Sequence, residues 1–450
     1  MSEVANSTYT IEFSEDGKGK STADFEEYDP VVKKSKPTIP GAQNVEIFEE
    51  EVKEDRLSDL PECLIHHILS FMDTRPAVRT CVLSKRWRYF WISVPDLNFC
   101  SKSFRRLISF KRFVDGVLSH HGSSRVGNLT FYRFGVEWAT DRSQFQKVIE
   151  YAASRGVENI DVDFSAKSRK SSEVPYIQIP FSLFKCQSLK ALKLKSCYVC
   201  TKYNFQFETL TSLHLVRFKL SSADADCLDP FASLAKFFGF KTLTILHLKS
   251  LTLSYKGTDC LDPFASCINL KNLHLSRIIC KSDKNPIVIV ISPPQLSNLT
   301  LEYSFLNCKL MVSAPQLTSF SYLDSPNHCF FEFKVPCLRD LIIDVDYGWL
   351  NGLAKSFQKR KREEALYDLV KLFQGLHNAE NVTLTSRVVS VLVETAVWKK
   401  YECSPFCELK CLKLGLGMEL TCKSNIENLD NVAAFFRNGS RSAEVKILNT

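Results

Sequence analysis

The sequence predicts an α/β chain, with a small N-terminal three-helix module followed by a long solenoid of parallel strands. Three observations carry this. The pattern L-x-x-L-x-L recurs from about residue 126 onwards, as at Leu189-Leu192-Leu194 and Leu270-Leu273-Leu275. Between residues 55 and 99, three short apolar stripes each follow a residue able to cap a helix. Residues 1–53 show neither helical nor strand periodicity.

The elements follow in chain order. Residues 1–53 read as a disordered acidic tail: 11 Asp/Glu face 5 Lys/Arg within residues 1–50, and Pro30, Pro37, Pro40 and Gly41 interrupt any element. The first helix is expected after Ser58 or Asp59 as cap, with Pro61 in its first turn and Leu64, Ile65, Ile68, Leu69 and Met72 as its stripe. Asp73-Thr74 caps a second helix holding Ala77, Val78, Cys81 and Val82. Ser84 caps a third holding Trp87, Phe90 and Trp91. So small a module cannot bury all of these faces, and an apolar face left over suits a partner. A helical linker occupies 100–125, where Phe110, Phe113, Val114, Val117 and Leu118 make one stripe.

The solenoid is expected over 126–448. Strong copies continue at Leu210-Leu213-Leu215, Leu243-Leu246-Leu248 and Leu296-Leu299-Leu301. Looser ones stand at Leu317-Phe320-Tyr322, Leu338-Leu341-Ile343 and Leu409-Leu412-Leu414, and weaker ones at Val126-Leu129-Phe131, Val157-Ile160-Val162 and Ala379-Val382-Leu384. Each copy is a short strand whose alternate residues enter a core that only stacked neighbours complete. This is a leucine-rich repeat with irregular insertions, and helices such as Phe145-Val148-Ile149-Ala152 and Leu366-Leu369-Val370-Phe373 should cover its convex side. One insertion reads as a duplication, because Asp226 to Ser233 reappears unchanged as Asp259 to Ser266.

Composition excludes several classes. Hydrophobic residues make 45% and charged ones 24% of the 450 residues, an ordinary globular balance. No run is long and apolar enough for a membrane helix, and the start lacks the features of a secretory signal. The 17 cysteines therefore read as reduced thiols of the cytoplasm or nucleus. The net charge of +8 combines a tail at −6 with a body at +14, which suits an acidic protein partner or nucleic acid. No nucleophile elbow, P-loop, zincin helix or nucleotide-binding glycine loop occurs, so no catalytic role and no cofactor are expected.

The run Asp55-Arg56-Leu57-Ser58-Asp59-Leu60-Pro61-Glu62-Cys63-Leu64-Ile65, with Ile68-Leu69-Ser70-Phe71, Ala77 to Arg88, Trp91 and Val94 to Phe99, resembles the F-box of plant F-box/leucine-rich-repeat proteins. The resemblance implies a substrate receptor of an SCF ubiquitin ligase: the F-box over 55–99 docks on a Skp-type adaptor, which joins it to cullin and RING subunits. The repeats then select the protein to be ubiquitinated. On this likeness Leu57, Leu60, Pro61, Leu64, Ile65, Ile68 and Leu69 face the adaptor, with Val82, Trp87 and Trp91 completing or supporting the surface. Arg75, Arg79, Lys85, Arg86 and Arg88 would ring it with positive charge. The C-terminal end only partly resembles the FBD segment of such proteins, since the Trp expected after Tyr401-Glu402-Cys403 is missing.

For the target, the residue between the last two apolar positions of each repeat is the exposed one. That position holds Lys193, His214, His247, His274 and Thr300 in five successive repeats. Three histidines suggest a pH-sensitive face for an acidic ligand or a metal, although the unequal spacings argue against a strict column. Cys197-x-x-Cys200 and Cys403, Cys407 and Cys411 lack the paired spacing of a zinc site, and no metal is expected. The pairs Asp161/Asp163 and Asp344/Asp346 read as solvated surface, and Lys359-Arg360-Lys361-Arg362 as a charged loop or an import signal. Two other readings remain open: a scaffold that holds the adaptor without delivering a substrate, and a basic nucleic-acid-binding repeat, which the scarcity of aromatics beside Lys/Arg on the strands disfavours.

Overall fold

The computed structural model describes residues 57, 59–122, 125–134, 142–164, 176–200, 207–221, 240–255, 260–282, 287–303, 308–324, 331–345, 367–394, 404–416 and 423–449. The acidic tail, the 226–233 copy of the duplication, Asp346, the 359–362 basic run, Leu366 and Cys403 lie outside these.

Thirteen strands form one sheet whose order is the order of the chain. They are β1 (Asp96–Cys100), β2 (Asn128–Tyr132), β3 (Asn159–Asp163), β4 (Ala191–Lys195), β5 (Ser212–Val216), β6 (Ile245–Lys249), β7 (Asn272–Ser276), β8 (Asn298–Glu302), β9 (Ser319–Asp324), β10 (Asp340–Val345), β11 (Asn381–Leu384), β12 (Cys411–Leu416) and β13 (Glu444–Asn449). Every pairing is parallel. Period-2 alternation sends the second and fourth residues of the strands inward, so Leu129 stacks between Leu97 and Ile160, and Leu246 between Leu213 and Leu273. From β1 to β12 these positions are almost wholly buried and form one continuous core, whereas on the last strand, β13, Val445 is partly buried and Ile447 is exposed.

All eleven copies of the expected pattern are strands of this sheet. It also extends at both ends. β1 begins at Asp96, thirty residues before the expected start at 126, and β13 follows the last expected copy. The stretch 100–125 is consequently not a linker. Its helix α3 (Leu107–His120) buries Phe110, Phe113, Val114 and Val117 behind β1 and β2, and α4 (Arg142–Ser154) buries Phe145, Val148, Ile149 and Ala152 behind the next repeat. Gly156, at φ +69°, ends α4 in the left-handed conformation that glycine adopts without strain.

The second layer differs along the solenoid. Helices cover the ends: α3 and α4 at the start, then α5 (367–375), α6 (Ser386–Glu394) and α7 (Lys423–Gly439) at the finish. The middle repeats carry short parallel strands there instead, such as 287–291 beside 308–313. β-Branched runs such as Ile287-Val288-Ile289-Val290-Ile291 favour strand over helix.

Two devices keep the repeats in step. Asparagine amides stitch the first outward position: Asn128 Nδ2 donates to Asp96 Oδ1 at 2.6 Å, Asn159 to Asn128 at 2.7 Å, Asn298 to Asn272 at 2.7 Å and Asn381 to Asp340 at 2.9 Å. After β4 to β8, the residues Ser196, Arg217, Ser250, Arg277 and Tyr303 turn the chain with φ between 49° and 60°. Each donates its N–H to a carbonyl at the end of the next strand, at 2.8 to 2.9 Å.

Asp344 departs from the solvated reading. It is buried, accepts Thr385 Oγ1 at 2.6 Å and Arg387 Nε at 2.9 Å, and its second oxygen pairs with Arg387 Nη2. This contact holds α6 against β10, and the carboxylate pushes the Arg387 pKa up. Asp161 and Asp163 likewise pair with Lys193 and Lys195, at 3.7 and 2.7 Å.

Candidate functional site

The helical module preceding β1 consists of α1 (Glu62–Ser70), α2 (Thr74–Arg79) and two 3-10 turns, Thr80–Val82 and Trp87–Ser93. Pro61 is the N-cap of α1, and its carbonyl accepts the N–H groups of Leu64 and Ile65 at 3.0 and 3.2 Å. Asp73 occupies the N-cap of α2, but its carboxylate turns elsewhere: it accepts Asn98 Nδ2 at 2.5 Å, while Thr74 Oγ1 accepts the Asn98 N–H at 2.6 Å. Arg75 Nη1 donates to the Ser103 carbonyl, and its guanidinium lies 4.3 Å from the Phe104 ring centroid. These contacts clamp α2 to the first strand. Arg75 is thus engaged with the solenoid and does not belong to a free basic ring. The third element is a 3-10 turn whose N-cap is Arg86, not the expected Ser84, although Ser84 Oγ accepts the Trp87 N–H at 3.4 Å.

The ten candidate partner residues divide into two sets. Ile65, Leu69, Trp87 and Trp91 are buried. They hold the module together and do not face outward, which corrects the expectation for Ile65 and Leu69 and gives the tryptophans a supporting role. Trp87 Nε1 also donates to the Leu57 carbonyl at 3.1 Å, fixing the chain that enters α1. The second set is open: Leu57, Pro61, Leu64, Ile68 and Val82 are exposed, and Leu60 is half-buried. Leu64 and Ile68 are 45% and 40% exposed, unusual for aliphatic residues one helical turn apart. Phe71, 78% exposed, continues the spacing 61, 64, 68, 71 along the same face. The sequence reading missed it as a contact, though that spacing is visible in the sequence. Leu83 is a further exposed apolar residue beside Val82.

Residues 57–98 match the F-box domain family. This segment is an F-box. Among curated proteins of Arabidopsis thaliana, the chain is 35% identical over 153 residues to a putative FBD-associated F-box protein, covering 33% of this chain and 31% of that one. It is 27% identical over 354 residues to an F-box/FBD/LRR-repeat protein, covering 74% and 72%. It is 30% identical over 168 residues to F-box/LRR-repeat protein 25, covering 37% and 60%. The chain therefore spans about a third of the first relative's length and three-fifths of the third's. It matches plant F-box/LRR-repeat proteins with an FBD-like tail. A leucine-rich-repeat protein of Leptospira interrogans gives a TM-score of 0.24 at 11% identity, covering 78% of this chain and 95% of that one. The solenoid assignment rests on the strand order itself.

Beyond the F-box, the structure brings the five target-facing candidates together. Lys193 pairs in register with His214, His214 with His247, His247 with His274 and His274 with Thr300. The expectation that unequal insertions spoil the column is overturned, because the inserted residues fall between the strands and leave their register unbroken. His214 and His247 meet edge to face at 5.2 Å, and His247 and His274 stack at 4.0 Å. Desolvation, and then the neighbouring imidazoles and Lys249, push His247 down to about 4. Burial also lowers His214. His274 Nε2 lies 3.3 Å from Glu302 Oε2.

Three buried thiols are suppressed by contrast. Burial pushes Cys186 and Cys267 up to about 12 and Cys197 further still, and none of these three forms a disulfide. Among the described residues, no three His, Cys, Asp or Glu side chains converge as metal ligands, and no helix is long and apolar enough to cross a membrane.

Proposed function

We propose that this chain is the substrate-recognition subunit of an SCF-type ubiquitin ligase, in which the F-box holds a Skp-type adaptor and the open face of the sheet holds the protein to be ubiquitinated. The carrying observation is the division within the F-box: one apolar set builds its interior, and a second stands in solvent at helical spacing. Burying aliphatic and aromatic side chains of this kind supplies interface affinity. Cullin and RING subunits join through the adaptor, and the chemistry of ubiquitin transfer belongs to those partners. The chain itself is non-catalytic in this reading, and it works in the cytoplasm or nucleus, where its thiols stay reduced.

A pull-down of a plant Skp-type adaptor by the full-length chain tests this, beside a Leu64→Ser/Ile68→Ser variant. The double substitution should weaken adaptor binding at least about 100-fold and leave the circular dichroism spectrum and melting temperature unchanged. Equal binding by both chains, or binding by neither, would overturn the assigned docking surface.

A further inference from the structure

The outward positions of β5, β6 and β7 hold Ser212, His214 and Val216, then Ile245, His247 and Lys249, then Asn272, His274 and Ser276. No carboxylate stands on these three strands. The left-handed turns after β5 and β7 add the cations Arg217 and Arg277. Among the described strands of the sheet, the acids flanking this window each have a partner. On one side Asp161 and Asp163 of β3 pair with Lys193 and Lys195 of β4. On the other, Glu302 of β8 approaches His274. Lys249, whose charge also acts on Glu302, Arg217, whose Nη2 donates to Ser196 Oγ at 2.7 Å, and Arg277 add positive charge around three imidazoles in register. His247 Nε2 is buried and has no hydrogen-bond partner.

We infer that this histidine ladder is a docking site for an acidic segment of the target protein, and that the segment binds with uptake of protons. The inference rests on the reading of the sheet as the target-binding element. A carboxylate over the ladder would lie among Lys249, Arg217 and Arg277, above the three imidazole rings. Before docking, burial first, and then neighbouring cations and imidazoles, hold His214 and His247 below the ordinary histidine value, against the opposing pull of Asp161 on His214 and of Glu302 on His247. An arriving anion reverses that balance and raises their pKa values, so occupancy and protonation favour each other. Val216 and the exposed Ile245 give the segment apolar contacts beside its charges.

The test is fluorescence anisotropy of a labelled Glu-rich decapeptide with the full-length chain, at pH 7.5 and 6.0 and low salt. Affinity should rise about tenfold on going to pH 6.0, and a Gln-rich peptide should not bind. His247→Asn should remove the pH dependence and Lys249→Ala should weaken binding at both pH values, whereas the distant Lys446→Ala should change neither. Failure to bind at pH 6.0, or a pH response that survives His247→Asn, overturns the inference. So does tighter binding of an oligothymidine that responds to the same variants, which would make the occupant a nucleic acid. Tighter peptide binding by a Glu49→Gln/Glu50→Gln/Glu51→Gln variant would assign the ladder to the chain's own tail, and would overturn it too. A chain that holds the adaptor but not the peptide sinks this inference alone; one that holds the peptide but no adaptor sinks the receptor reading.

Discussion

The F-box and the solenoid spend the same residue types in opposite ways. In the solenoid, leucines at the second and fourth strand positions lie almost wholly inside, and the outer face is mostly polar, with Ile245 and Ile342 as exposed exceptions. In the F-box, Leu64 and Ile68 stand in solvent one residue away from the buried Ile65 and Leu69. A stacked sheet buries its apolar rows with its own neighbours, whereas a helix of nine residues leaves one flank for a partner to cover. Apolar character therefore marks the core in one region and an interface in the other.

The sharpest way to break this comparison uses two phenylalanines. Phe131 is fully buried and packs against the rings of Phe99, Phe110, Phe145 and Phe164. Phe131→Ala should cost about 3–5 kcal/mol in denaturant unfolding. Phe71→Ala should change stability by less than about 0.5 kcal/mol while weakening adaptor binding. Similar stability losses for both would erase the distinction between core and strip.

An intermediate effect is expected on acidification of the ladder. The folded chain holds His247 near 4 and His214 below its ordinary value, so the unfolded chain takes up protons first as pH falls. Stability present above pH 6.5 should be lost between about 6.5 and 4, by about 2 kcal/mol. Chemical unfolding of wild type and His247→Asn across that range checks this, and the variant should show the flatter profile.

The smallest effect sharpens the solenoid side. Ser250 turns left-handed at φ 55°, a conformation costly for any residue with a Cβ. Ser250→Gly should leave stability unchanged or raise it by up to about 1 kcal/mol, as read from the denaturation midpoint. A loss would mean that the serine side chain, rather than the turn, matters there.

Repeats were legible wherever leucines keep their spacing, because the fold demands an apolar residue at each inward position. β1 escaped because Val94-Leu97-Phe99, though spaced like Val126-Leu129-Phe131, falls within the F-box-like run, and β13 because Val445 and Ile447 follow Ser442 at the leading apolar position. The histidine column was visible only as a suspicion. Sequence spacing counts loop residues that the strand register ignores, and 33 residues between His214 and His247 still bring them side by side. The division of the F-box was hidden for another reason. α1 is apolar on two adjacent flanks, and which flank turns inward depends on where Trp87 and Trp91 pack, a contact that local periodicity does not encode.

The clamp from Asp73, Thr74 and Arg75 to Asn98 and Ser103 has a geometric corollary. With α2 fastened directly to the first rung of the sheet, the span from F-box to ladder is a count of rungs, each about 4.8 Å. On the proposed function, a receptor built this way would measure its cargo with a stepped gauge. Gaining or losing one repeat, as the copied Asp226–Ser233 segment suggests has happened once, would reset which lysines of a bound protein come within reach of the transfer machinery.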